Sequence, residues 1–185
     1  DFGSLGPLAL SSLPRGHGIV SDTNLSPEET RALRFEIEEF NTDYARVLDA
    51  LDVDKWPDFF TEDGFYRVTA RENFDENLPV GLVWCDGKPM LKDRAAAVES
   101  TMVHAPRYLR HYTSNVRVTG VEPGGVITSE SNYLVVETLM EDETRIFQAG
   151  CYLDRFVRED GALLLKARDC IYDSLLIPND VVYPV

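Results

Sequence analysis

The chain has 185 residues, 44% of them hydrophobic and 27% charged, a composition that suits one globular domain with a real core and excludes global disorder or a fibrous repeat. Its net charge of −14 repels phosphate backbones, which argues against a nucleic-acid partner. Arg, Asp or Glu interrupts every apolar stretch before the roughly 20 residues that span a bilayer, so a soluble chain with no membrane partner is expected.

Residues 1–25 are rich in Gly, Pro, Ser and Leu without helical or alternating period and read as an irregular tail, leaving 26–185 as one domain. Ser26-Pro27-Glu28-Glu29 has the pattern of a capping box with proline in the first turn. Leu33, Ile37, Phe40, Tyr44, Leu48 and Leu51 then recur at intervals of three and four, which predicts a helix to about Leu51 with one buried stripe. A short helix after Asp54 carries Trp56, Phe59 and Phe60 inward and is expected to break at Glu62-Asp63-Gly64. Phe65 to Ala70 and Val80 to Trp84 are short strand candidates. Pro89 opens a third helix with Leu91, Ala95, Val98 and Met102 on one face.

The remaining residues change character. Tyr108 to Val118, Val126 to Leu139, Arg145 to Val157 and Leu163 to Tyr172 are rich in β-branched and aromatic side chains, with turn residues between them at hairpin length. They predict a four-strand antiparallel meander. In the third of these, Phe147, Ala149, Cys151 and Leu153 alternate with Gln148, Gly150 and Asp154, and the first set is expected to face the core. Helices first and a long curved sheet afterwards make an α+β plan, three N-terminal helices packed on the concave side of the sheet. The order resembles the nuclear-transport-factor-2-like cone, which encloses a pocket in some members and is packed solid in others.

Three kinds of chemistry can be weighed. His104 and His111 lie seven residues apart, with Asp58, Tyr66 and Arg110 in the same half of the cone. A pocket His of that kind can remove a proton next to a carbonyl, which gives one reading, a self-sufficient isomerase or dehydratase; the plainer reading is a structural pair of histidines. Metal chemistry needs two His and a carboxylate, or Cys and His in close pairs. Neither pattern is present, and Cys85, Cys151 and Cys170 are widely spaced and read as core residues. Without a disulfide framework, a C-x-x-C motif or a signal-peptide pattern, a reducing cytoplasm is expected. Arg107, Arg110 and Arg117 alternate with Tyr108 and Tyr112, residue types common at subunit contacts. The apolar ending Ile171 to Val185, with two prolines and two tyrosines, folds back on its own sheet or is buried against another chain.

An ordered set of segments carries a resemblance. Trp56-Pro57-Asp58-Phe59-Phe60, Tyr66-Arg67, Arg71-Glu72-Asn73-Phe74 with Leu78-Pro79, Met90 to Arg94 leading to His104, Tyr108 to His111, and the Ile171 to Val185 ending are similar to the small (β) subunit of aromatic-ring-hydroxylating oxygenases. The resemblance spans residue 28 to the end, and departs at Ala70, where proline is expected. It is nearest to small subunits serving aromatic carboxylates, such as those of salicylate 5-hydroxylase and of terephthalate and anthranilate dioxygenases. It implies a structural, non-catalytic chain with no cofactor of its own. It places the Rieske 2Fe–2S cluster and the mononuclear Fe(II) in a large α subunit fed from NAD(P)H by a ferredoxin or reductase, in an α3β3 assembly. The residues expected at subunit contacts are Arg94, Arg107, Tyr108, Arg110, His111, Pro178 and Tyr183.

Overall fold

A computed structural model describes residues 25–100, 106–140, 142–174 and 183–185. Helix α1, Pro27–Asp49, starts where expected: the Ser26 hydroxyl accepts from the Glu29 amide at 3.2 Å, and the Ser26 amide donates to the Glu29 carboxylate at 2.8 Å. Its buried stripe is Ile37, Tyr44, Ala45 and Leu48, with the polar Asn41 among them. A 3-10 turn, Trp56–Phe59, replaces the expected second helix. The expected break does not occur there. Glu62-Asp63-Gly64 lies inside strand β1, Phe60–Ala70, where the pairing with its neighbour shifts register between Phe60 and Phe65.

A one-turn helix, α2, Arg71–Asp75, follows β1 and has no counterpart in the sequence reading. Strand β2, Val83–Asp86, begins later than the Val80 to Trp84 expectation. Helix α3, Lys88–Ser100, buries Leu91, Ala95 and Val98; Met102 and His104 lie outside the described residues. Strands β3, Arg107–Val121, β4, Ile127–Leu139, β5, Arg145–Glu159, and β6, Ala162–Tyr172, form the antiparallel meander. The six strands make one sheet in the order β2-β1-β6-β5-β4-β3, with β1 parallel to β6 and every other pair antiparallel.

Bulges decide which side chains face inward. Along β4, Ile127, Ser129, Ser131, Tyr133, Val135 and Glu137 are buried in strict alternation. On β5 the register slips opposite Val135 and Val136, so Phe147 and Gln148 are both buried, as two residues facing one across a bulge can be. Beyond it the inward set is Tyr152, Asp154 and Phe156. This reverses the expected phase, in which Cys151 and Leu153 faced the core. On β3 an extra residue between Ser114 and Arg117 is accommodated by Asn115 at φ 57°, a left-handed conformation that asparagine tolerates. It lets His111 and Val116 share the inner face.

The core lies between this inner face and the helices. Trp56, Phe60 and Tyr66 meet edge to face, with centroids 4.9 to 6.0 Å apart, and Phe40 packs on Phe59 and Phe156. Gly150 is required where β5 meets the end of β6, since a Cβ there would stand 2.0 Å from the Ile171 carbonyl oxygen. No described helix is long and apolar enough to cross a membrane.

Candidate functional site

The centre of the cone is filled by side chains of the chain itself. Asp154 on β5 and Arg168 on β6 are cross-strand partners. The guanidinium donates to both carboxylate oxygens at 2.8 Å and to the Asn41 side-chain oxygen at 2.6 Å. Its plane lies between the rings of Tyr44 and Tyr152, at 4.3 and 4.2 Å, and Tyr152 stacks on Tyr133 at 4.4 Å. Arg168 is fully buried. Burial alone would lower its pKa, but the Asp154 charge and hydrogen bonds and the two tyrosines hold it well above the usual range. A guanidinium held this way braces β5, β6 and α1 against one another, and its Nη1 is buried without a hydrogen-bond partner.

On the same inner face, Trp56 Nε1 donates to the Tyr44 hydroxyl at 2.8 Å, and Tyr133 donates to Gln148 at 2.7 Å. Burial pushes the phenols of Tyr44, Tyr66, Tyr133 and Tyr152 up. The segment Tyr183–Val185 also enters the interior. Val185 is 1% exposed, between Tyr44, Tyr66 and Cys170.

The residues expected at subunit contacts divide into two groups. Arg107 is buried and donates to Glu137 at 2.6 Å, while Arg145 holds the other Glu137 oxygen at 2.7 Å. His111 is buried, and its Nδ1 and main-chain amide both meet Asp49 Oδ1, at 2.7 and 3.0 Å. Tyr108 and Arg110, between them in sequence, point outward. Arg110 stands 4.0 Å from the other Asp49 oxygen, and Arg117 3.8 Å from Glu130. Arg94 is half-buried on α3, and Tyr183 is half-buried against the core near Arg107, whose charge opposes the rise that burial gives its phenol. Pro178 lies outside the described residues.

Outward-facing positions carry further large apolar side chains beside the tyrosines the sequence pointed to. Met140 and Ile146 flank the β4–β5 turn and are exposed, and Tyr112 joins Tyr108 on β3. At the other edge of the sheet, Leu82, Trp84 and Met90 are exposed beside Arg67. Arg67 itself is buried, bonded to Asp169 at 2.6 Å and covered by Phe74 and Trp84. Burial raises the Asp169 carboxyl, against the opposing pull of Arg67.

Among the described residues no three His, Cys, Asp or Glu side chains form a group that could hold a metal. His111 bonds Asp49 through Nδ1 and leaves its buried Nε2 without a partner, and Cys85 and Cys170 are buried in separate positions of the core.

With this geometry in hand, comparison with known proteins is decisive. The family model described as "Ring hydroxylating beta subunit" matches residues 43–179. The chain belongs to that family. The small subunit of anthranilate 1,2-dioxygenase from Burkholderia cepacia is 36% identical over 151 residues, 82% of this chain and 93% of that one. The β2 subunit of the terminal oxygenase component of terephthalate 1,2-dioxygenase from Comamonas is 32% identical over 81% of this chain and 97% of its own. A solved β subunit of an aromatic-ring-hydroxylating dioxygenase from Novosphingobium aromaticivorans is 38% identical, covers 83% of this chain and 96% of that one, and superposes with a TM-score of 0.74. The ring-hydroxylating β subunit is therefore a nuclear-transport-factor-2-like cone here, as expected, and as a small subunit it implies a large-subunit partner in an oxygenase complex.

Proposed function

We propose that this chain is the non-catalytic scaffold of a multicomponent oxygenase acting on an aromatic carboxylate, with salicylate, anthranilate or terephthalate as the type of substrate. The observation that carries the reading is the filled cone: the bidentate Arg168–Asp154 pair, its tyrosine sandwich and Val185 occupy the space where a cone-fold enzyme would hold a reactant. The relatives named for anthranilate and terephthalate oxygenation support the substrate class.

On this reading the Rieske cluster and the mononuclear iron belong to the large subunit, and a ferredoxin or reductase delivers electrons to it from NAD(P)H. The β chain contributes position. Its exposed Tyr108 and Arg110, with Arg94, Tyr183 and Pro178, meet neighbouring subunits in an α3β3 assembly, while Arg107 and His111 brace the same strand from beneath through Glu137 and Asp49. Obligate contacts of this kind bury about 2,000 Å² or more. One core that runs from Ile37 to Val185, with Leu25 and Leu33 packed on it, supports a single domain beginning close to residue 26, with the residues before Leu25 as an extension. The three free thiols support a cytoplasmic location.

The test is co-expression with a large subunit of a ring-hydroxylating oxygenase from the same source. A stable complex that hydroxylates an aromatic acid, and loses assembly rather than substrate affinity on Tyr108→Ala with Arg110→Ala, agrees with the proposal. A complex whose assembly is intact but whose KM for the acid rises would contradict it.

A further inference from the structure

The sheet has two edge strands, β2 and β3, and the two edges are unlike. The edge at β2 is apolar with an acidic rim. Leu78, Val80, Leu82, Trp84 and Met90 are exposed there. The Thr69 hydroxyl donates to the Val80 carbonyl at 2.8 Å and the Leu82 amide to the Val68 carbonyl at 2.7 Å, which holds this stretch along β1. Between Arg71 and Lys88 the chain has Glu72, Asp75, Glu76 and Asp86 and no Lys or Arg. The edge at β3 has the opposite make-up. Tyr108 and Tyr112 are exposed, Arg110 and Arg117 lie on the same strand, and Arg107–Val121 contains no Asp or Glu. Carboxylates reach these two guanidiniums only from other elements, Asp49 at 4.0 Å and Glu130 at 3.8 Å, and leave both more than half exposed.

Both edges are blunted against strand addition. On β3 the His111 amide donates to Asp49 and the Leu109 carbonyl accepts from Arg110 Nη1 at 2.8 Å. On β2 the Asp86 amide donates to the Met90 sulfur at 3.3 Å. Main-chain groups occupied in this way do not template a further strand, so a partner meets these edges through side chains. Beside Tyr112 a hollow of about 270 Å³ opens between α1 and β3, walled by Thr42, Ala45, Arg46 and Thr113. Apolar anchors of a partner seat in recesses of this kind. Large apolar side chains grouped as they are at β2 mark an interaction surface.

We propose that the β2 edge of one copy of this chain docks on the β3 edge of a second copy. Val80, Leu82 and Met90 meet Tyr108, Tyr112 and the hollow, and the acidic rim faces Arg110 and Arg117. Like edges do not pair: β3 against β3 brings the arginines of two copies together, and β2 against β2 gathers their carboxylates, juxtapositions that oppose association. The contact is therefore head to tail, and repetition about an axis closes a ring. The pairing rests on the oxygenase reading for the presence of sister chains and deepens it by naming the surfaces they share.

The experiment is sedimentation velocity on the full chain without the large subunit, so its outcome is separate from any hydroxylation assay. Two variants add carboxylates at exposed positions: Tyr108→Glu with Tyr112→Glu on β3, and Val80→Glu with Leu82→Glu on β2. Circular dichroism checks their fold, and Tyr112→Glu or Leu82→Glu alone replaces a pair that does not fold. The unsubstituted chain is expected to self-associate, less so as salt is raised. Each variant alone should associate at least about tenfold more weakly. An equimolar mixture of the two should form a one-to-one dimer, because the first keeps its β2 edge and the second its β3 edge. An unsubstituted chain that stays monomeric up to near-millimolar concentration would overturn the proposal. So would association that salt leaves unchanged or strengthens, a folded variant that associates as the unsubstituted chain does, or a mixture no more associated than its separate components.

Discussion

Along β4 and β5 the inward face mixes Ile127, Val135, Phe147, Tyr152 and Phe156 with the polar Ser129, Ser131, Gln148 and Asp154, whereas the outward face mixes Thr128, Glu130, Asn132 and Arg155 with Leu134, Val136 and the exposed Ile146. An ordinary half-buried sheet keeps its polar side chains on the outer face and its apolar ones inside. Asp154 is tolerable there because it bonds to Arg168, which in turn bonds to Asn41 of α1, and Gln148 accepts from Tyr133, whereas the Ser129 and Ser131 hydroxyls are buried with no hydrogen-bond partner. The outer apolar groups are tolerable if another chain covers them. The contrast separates two tasks: the inner face makes the fold specific, and the outer face carries the assembly under the proposed function.

Breaking the inner network should have the largest effect. Asp154→Ala leaves a fully buried guanidinium without its bidentate partner and should cost about 3–5 kcal/mol in chemical denaturation. Asp154→Leu combined with Arg168→Met should recover most of that loss, since an apolar pair of similar volume needs no compensation. A double variant as unstable as the single one would show that the pair is not acting as a unit. Gly150→Ala comes next, at about 3 kcal/mol or more, because the new methyl meets the Ile171 carbonyl and backbone must move.

The buried phenols sharpen the same contrast through pH. Tyr44, Tyr66, Tyr133 and Tyr152 all have folded values raised by burial. The unfolded chain therefore releases these protons first, from about pH 10 upward. Their contribution is complete below that pH and is lost as pH rises, by about 1.4 kcal/mol per pH unit for each tyrosine. Alkaline unfolding and tyrosinate absorbance should appear together. Early tyrosinate formation without unfolding would place these hydroxyls in contact with water.

Outer-face changes should be the mildest for the fold. Tyr108→Ala with Tyr112→Ala removes two exposed rings and should shift stability by no more than about 0.5 kcal/mol, yet weaken association with the large subunit about tenfold or more. Equal association measured by light scattering would remove β3 from the interface.

Local signals were readable in the sequence and long-range ones were not. The capping box at Ser26 and the stripe from Leu33 to Leu48 are short-range codes, and α1 follows them. The four long strands follow from composition and turns. The phase of β5 was unreadable because one bulged residue opposite Val135 inverts it, and a polar Asp154 looks like an outward residue until its register partner Arg168 is known. Glu62-Asp63-Gly64 has turn composition, yet pairing and packing keep it in β1; a Cβ at Gly64 would lie 2.8 Å from the Phe60 Cβ. His111 with Asp49 joins residues far apart in the chain, a contact that spacing cannot announce. The ordered set of family segments supplied the function, since the filled interior is invisible to any single motif.

The most direct measurement of the scaffold role is metal analysis and turnover on three preparations: this chain alone, the large subunit alone, and the two together. The account predicts iron in the preparations containing the large subunit, none above background in this chain alone, and full hydroxylation only from the pair. Stoichiometric iron in the isolated chain, or conversion of an aromatic or carbonyl substrate by it without a partner, would contradict the account.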